Sequence, residues 1–102
     1  MVDSYRVVFA SPTIERQFAD YLKGLDEKRR RQVATRIDLL GAGPRPSGKS
    51  FRILRPPVEI GQFVANCRLR IGDHRVLYDV DDDNRTVVVM AIRRRSEDTY
   101  RE

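Results

Sequence analysis

With a single cysteine, Cys67, the chain can form neither an internal disulfide nor a cysteine-built metal cluster. One thiol fits a reducing compartment. No serine, histidine and acid set for hydrolysis accompanies the basic residues, since the single histidine, His74, is expected to point toward the core, and no credible ligand cluster for a transition metal is present. No apolar run reaches the roughly 18 residues of a membrane span, and no basic stretch followed by an apolar core opens the chain. The cytoplasm is therefore the expected location, with no membrane partner. Internal repeats and low-complexity tracts are missing too. Acidic residues are in deficit, 15 Asp and Glu against 20 Lys and Arg, for a net charge of +5. That balance and its placement favour a nucleic acid or an acidic protein over a neutral metabolite.

What is present suffices for one domain, residues 1–102, which should bury roughly 60–70% of its unfolded surface. Tyr5 to Ala10 reads as a first strand, rich in β-branched and aromatic residues. Ser11 suits a helix cap, with Pro12 at the first position where its missing N–H is not needed. Ile14, Phe18, Tyr21, Leu22 and Leu25 recur at helical spacing, and Gly24 is expected to end this helix in the left-handed conformation. Asp26 caps a second helix with the apolar stripe Val33, Ala34, Ile37 and Leu40, terminated by Gly41 to Pro44. Helices joined so tightly should lie antiparallel. The run Lys28 to Arg31 occupies the end of that helix that disfavours cations and reads as a solvated face. A Pro- and Gly-rich connector follows, and Phe51 to Gln62, broken by Pro56-Pro57, reads as irregular.

Gly72-Asp73 separates two alternating runs and reads as a two-residue hairpin turn. Ile71 then faces His74, Arg70 faces Arg75, Arg68 faces Leu77 and Asn66 faces Asp79. One face carries Ala65, Cys67, Leu69, Ile71, His74, Val76, Tyr78 and Val80 and is the expected core face. Cys67 is then a small filler and His74 a satisfied core histidine. The other face carries Asn66, Arg68, Arg70, Arg75, Leu77 and Asp79. Setting Arg70 against Arg75 destabilises the pair, and a polyanionic partner would account for it. The turn Asp81 to Asn84 lacks the spaced ligands, glycine and bidentate glutamate of a calcium loop. Thr86 to Ile92 is apolar at nearly every position, as in a central strand covered on both sides.

Arg93-Arg94-Arg95 ends that strand, and Ser96 to Thr99 reads as the start of a short helix bringing Tyr100 close. Arg68, Arg70, Arg75, Arg94 and Tyr100 are expected to converge on a shallow cationic surface. Guanidinium groups grip a phosphodiester bidentately and stabilise the extra charge of its pentacoordinate state. RNA brings its own nucleophile, so orienting the 2′-hydroxyl in line needs neither a metal nor a strong base. Residue types alone leave cleavage and plain binding both open.

Together these motifs resemble a known family. A strand closing on Ser11-Pro12-x-x-Glu15, two helices, Pro44-Arg45-Pro46, the run Arg68-Leu69-Arg70-x-Gly72-Asp73-x-Arg75-Val76-Leu77-Tyr78-x-Val80-Asp81 and a final Arg94-Arg95-x-x-x-x-Tyr100 are similar to the RelE/ParE toxins of bacterial and archaeal toxin–antitoxin pairs. The resemblance implies an α+β fold of order β-α-α-β-β-β, an antiparallel sheet with a helical hairpin on one face and a short C-terminal helix. It implies the toxin of a type II system, held in a hetero-oligomer by a cognate antitoxin that covers or displaces the C-terminal helix. RelE members are mRNA interferases, endoribonucleases that cut mRNA in the ribosomal A site without metal or other cofactor. They act by 2′-hydroxyl attack, leaving a 2′,3′-cyclic phosphate. ParE members share the fold but poison DNA gyrase, and a relic binding only RNA or antitoxin is a third possibility.

By position, the resemblance makes Arg75 the contact to the scissile phosphate, Arg94 the stabiliser of developing charge, and Tyr100 the residue that stacks on a base or assists proton transfer. Arg68 and Asn66 stand where RelE members carry two lysines. Arg70, Arg93 and Arg95 are the remaining expected RNA contacts. Arg94 and Tyr100 together favour the ribonuclease branch, and His74 replaces the family's common tyrosine.

Overall fold

A computed structural model of the chain describes residues 4–95. The expected C-terminal helix and Tyr100 lie outside them. β1 (Arg6–Phe9) leads into α1 (Pro12–Lys23), whose first turn is fixed by the Ser11 hydroxyl accepting from Ile14 N at 3.1 Å. Gly24 closes α1 in right-handed rather than left-handed geometry (φ −80°), its N–H returning to Tyr21 O at 3.1 Å. The chain thus passes straight to Asp26, which caps α2 (Glu27–Leu39) by accepting from Arg29 N at 2.8 Å. Leu25, between the helices, is buried in the core. Ala34, expected on the apolar stripe of α2, is exposed, while Val33, Ile37 and Leu40 are buried.

The remaining elements are β2 (Phe51–Ile60), β3 (Phe63–Ile71), β4 (His74–Asp81) and β5 (Thr86–Arg94). They form one sheet with β1, ordered β1-β5-β4-β3-β2. Two expectations change here. The segment read as irregular is a strand, so the order is β-α-α-β-β-β-β, and β1 runs parallel to β5 while the other pairs are antiparallel. Pro56 and Pro57 fit because β2 is an edge strand and both fall where its register against β3 shifts, between Ile53 and Val58. Their missing N–H groups withhold nothing from the ladder.

The helices cover one face, where Phe18, Leu25, Val33, Ile37 and Leu40 bury Cys67, Leu69, Ile71, Val76, Tyr78, Val87 and Val89. Tyr78 reaches through this core and donates its hydroxyl to Pro44 O at 2.7 Å, which fixes the connector. Where α2 ends, Gly41 O accepts from Tyr5 N at 2.7 Å, and a Cβ at Gly41 would meet Tyr5 O at 2.9 Å. Only glycine allows that approach.

The other face is not open, as expected, along its whole length. Ala65 does not join the helix-side core. Leu54, Ala65, Leu77 and Met90 form a second buried cluster, with Val58, Ile60 and Phe63 of the β2–β3 hairpin packed against it. The far half of that hairpin leaves β4 beyond Cys67 and lies across the sheet. Leu77, expected at the surface among arginines, is 0% exposed.

Candidate nucleic-acid interface

The β3–β4 turn is tight because Gly72 adopts φ 59°, and it sets Ile71 opposite His74 and Arg70 opposite Arg75, the pairing expected from alternation. Asn66 Nδ2 donates to Asp79 Oδ1 at 2.9 Å, in keeping with the same register. On β5 the register places Arg93, not Arg94, opposite Arg75. Arg70, Arg75 and Arg93 therefore form one row across three adjacent strands, on the face away from the helices.

A bulge causes the exchange. Pairing of β4 with β5 shifts between Leu77 and Tyr78, leaving Met90 as an extra residue between Val89 and Ala91. Met90 and Ala91 then both belong with the hairpin-side cluster, and the parity of everything after them is inverted. Strict alternation from Val87 and Val89 would have put Arg94 beside Arg75. Instead Arg94 pairs with His74 on the helix side. Arg95 follows at the strand end, its N–H donating to Asp73 O at 2.6 Å.

Two residues further along the ladder, Arg68 is only 3% exposed and donates from Nη2 to Lys49 O at 3.4 Å. It lies opposite Leu77 and, on its other side, opposite Arg52 of β2. Arg52 escaped the sequence reading, although Phe51 and Ile53 flanking it carry the alternation of a strand. The row residues Arg70, Arg75 and Arg93 are half-buried. Arg75 Nε is enclosed and finds no hydrogen-bond partner among the described residues. Neither Arg70 nor Arg75 forms an ion pair there. Aligned guanidinium groups repel one another, and a phosphate bridging them removes that repulsion through charge-assisted bonds.

On the other side of the same strand ends, His74 is 4% exposed and its Nδ1 lies 2.7 Å from the Tyr21 hydroxyl. Burial, reinforced by Arg94, lowers its pKa below the ordinary histidine value and keeps the imidazole neutral at pH 7. Cys67 is enclosed, and burial pushes its thiol up to about 11, so it is no nucleophile at neutral pH. The basic run of α2 is partly neutralised locally, Arg29 by Asp26 at 2.6 Å and Arg31 by Glu27 at 2.8 Å. In the acidic turn, Asp82 accepts from the Tyr5 hydroxyl at 2.6 Å and from Arg45 at 2.8 Å, while Asp81 accepts from Asn84. Among the described residues no three His, Cys, Asp or Glu side chains are grouped to hold a metal ion.

A family model described as the ParE toxin of the type II toxin–antitoxin system parDE matches residues 8–99. The chain belongs to this toxin family. No curated protein matches the toxin in sequence. Among solved structures, a chain of the archaeal RelE–RelB complex from Pyrococcus horikoshii OT3 superposes with a TM-score of 0.65 at 22% identity, covering 90% of the toxin and 96% of that chain. A chain of the RelBE2 toxin–antitoxin complex from Mycobacterium tuberculosis gives 0.62 at 25% identity, covering 90% and 99%. A free Escherichia coli RelE variant gives 0.53 at 16% identity, covering 94% and 87%. The toxin thus has the RelE-like α+β fold.

Proposed function

We propose that this toxin is an endoribonuclease that cuts mRNA on the ribosome, and that a cognate antitoxin holds it inactive in a hetero-oligomer. The row Arg70, Arg75 and Arg93 carries the reading, three cations in register across three strands with no acidic partner for Arg70 or Arg75 among the described residues. In this reading Arg75 and Arg93 grip the scissile phosphate from two sides, and Arg70 holds the next charge along the strand. The 2′-oxygen attacks phosphorus and the 5′-oxygen of the following nucleotide leaves, giving a 2′,3′-cyclic phosphate and a 5′-hydroxyl. The guanidinium row stabilises the doubly charged intermediate, which is where preorganised donors contribute most. Arg68, enclosed beside the row, raises the local positive potential, and Asn66, held by Asp79, lines the approach. Arg94 and Arg95 contact RNA around the strand ends, and Tyr100 stacks on a base, a contact worth about 1–3 kcal/mol. No metal or other cofactor takes part, and the site of action is the cytoplasm, with the ribosome.

The antitoxin partner is supported by the RelE–RelB and RelBE2 complexes that the fold resembles. The family description itself favours a second reading, a ParE-type poison of DNA gyrase. Induction of the toxin in cells separates the two. Arrested translation with new message ends mapped by primer extension carries the ribonuclease reading, and intact translation with gyrase-dependent DNA damage carries the other.

A further inference from the structure

Behind the arginine row, on the helix side of the same strand ends, a buried side-chain bond joins two elements far apart in the chain. His74 opens β4 directly after the Gly72-Asp73 turn, is 4% exposed, and has its Nδ1 2.7 Å from the hydroxyl of Tyr21 in α1. The two rings also meet edge to face, with centroids 5.6 Å apart and planes at 86°. A buried imidazole needs such a partner, whereas an apolar residue there would need none. The bond holds a strand end under load. Arg75 follows His74 in the chain and faces Arg70 and Arg93 across the ladder, so like charges push these strand ends apart beside the turn. The Arg95 N–H donating to Asp73 O at 2.6 Å ties the turn to β5, and the Tyr21–His74 bond ties it to α1. Successive side chains on a strand point to opposite faces, so fixing the His74 ring on the helix side fixes the direction of Arg75 on the other.

We propose that His74 and Tyr21 are positioning residues for the arginine row: their hydrogen bond sets the angle at which Arg75 meets the phosphate. The proposal rests on the ribonuclease reading above, and in it neither side chain touches RNA. Misplacing a catalytic group by about 1 Å slows a reaction by up to about a hundredfold, so a single bond of this kind reaches the chemistry. The pairing works with a neutral ring. Tyr21 faces the imidazole from α1, Arg29 from α2, Asp73 from the turn and Arg94 from β5, while Asp26 beside them is already bound to Arg29 at 2.6 Å. A second proton on the ring places a buried cation near Arg94 and Arg29 with the Asp73 carboxylate to offset it, and leaves Nδ1 unable to accept from Tyr21. Acid is therefore expected to loosen the strand end that carries Arg75.

Cleavage of ribosome-bound message by the folded toxin tests this in two ways. Tyr21→Phe keeps the ring and removes the hydroxyl. It should lower kcat about tenfold with KM changed less than about twofold, at a temperature where unfolding curves show the variant as fully folded as the wild type. The second readout is the pH profile. Between pH 7.5 and 5.5 the wild-type rate should fall as His74 takes up a proton, with the fall centred below the ordinary histidine value of 6.5. His74→Gln retains an acceptor for the Tyr21 hydroxyl and does not titrate. It should cut about tenfold faster than His74→Ala at the upper end of that range, and its rate should stay level down to the lower end. Wild-type kcat in folded Tyr21→Phe, a loss confined to KM, or the same acid fall in His74→Gln overturns the positioning role and leaves the ribonuclease reading standing. A folded wild-type toxin that cuts nothing overturns both.

Discussion

On the helix face of the sheet, alternation holds as far as the β5 bulge: Cys67, Leu69 and Ile71 of β3, Val76 and Tyr78 of β4, and Val87 and Val89 of β5 all reach one core. On the opposite face the ladder slips twice, in β2 between Ile53 and Val58 and in β5 at Met90, and the hairpin folds across the gap. The first face is built by periodicity and the second by interruptions to it. The interruptions matter most at the strand ends, where they decide which arginine looks which way.

The largest expected effect tests whether the second face is a core at all. Leu77→Ala should destabilise the toxin by ~2–5 kcal/mol in urea unfolding, and Leu69→Ala on the helix side should do the same, because both side chains are fully enclosed. A loss below about 1 kcal/mol for Leu77 alone would mean that the hairpin does not seal that face. Next comes the exchange of arginines. Arg75→Ala and Arg93→Ala should each lower RNA cleavage by about 10²–10³-fold while unfolding as the wild type does. If Arg94→Ala falls as far and Arg93→Ala does not, the inversion at Met90 is wrong.

On the helix face, Tyr78→Phe removes the donor to Pro44 O and should cost ~1–2 kcal/mol, read from the same unfolding curves. The smallest effect is one of pH. Burial and Arg94 lower the His74 pKa in the folded state, so between that value and the unfolded value near 6.5 the unfolded chain binds more protons. Stability from this group is fully present above about pH 6.5 and declines as the medium is acidified. Unfolding midpoints taken from pH 7.5 down to 5.5 should show the decline in the wild type and less of it in His74→Gln. An equal decline in both would locate the proton uptake elsewhere.

The helices and the β3–β4 hairpin were legible because local chemistry specifies them. Ser11-Pro12 and Asp26 are cap signals, and Gly72-Asp73 between two alternating runs fixes a register from which Arg70 opposite Arg75 follows directly. β2 was hidden by Pro56-Pro57, which break a central strand but not an edge strand at a bulge. Leu77 was misplaced because the hairpin that covers it comes from a different part of the chain. Arg94 was expected in the row and Arg93 stands there instead, since Thr86 to Ile92 is apolar toward both faces and gives no sign of the bulge at Met90. Tyr100 and the helix expected before it lie beyond the described residues.

The parallel pairing of β1 with β5 has a consequence for biosynthesis. Among the described residues, the first strand has its only ladder partner in the last, and that late strand is also the one inserted between β1 and β4. Contacts so distant along the chain form slowly and cannot form at all on a nascent chain still missing β5. A polypeptide released before Thr86 lacks the centre of the sheet and Arg93 with it. A fragment ending there has neither a complete sheet nor a guanidinium row spanning three strands.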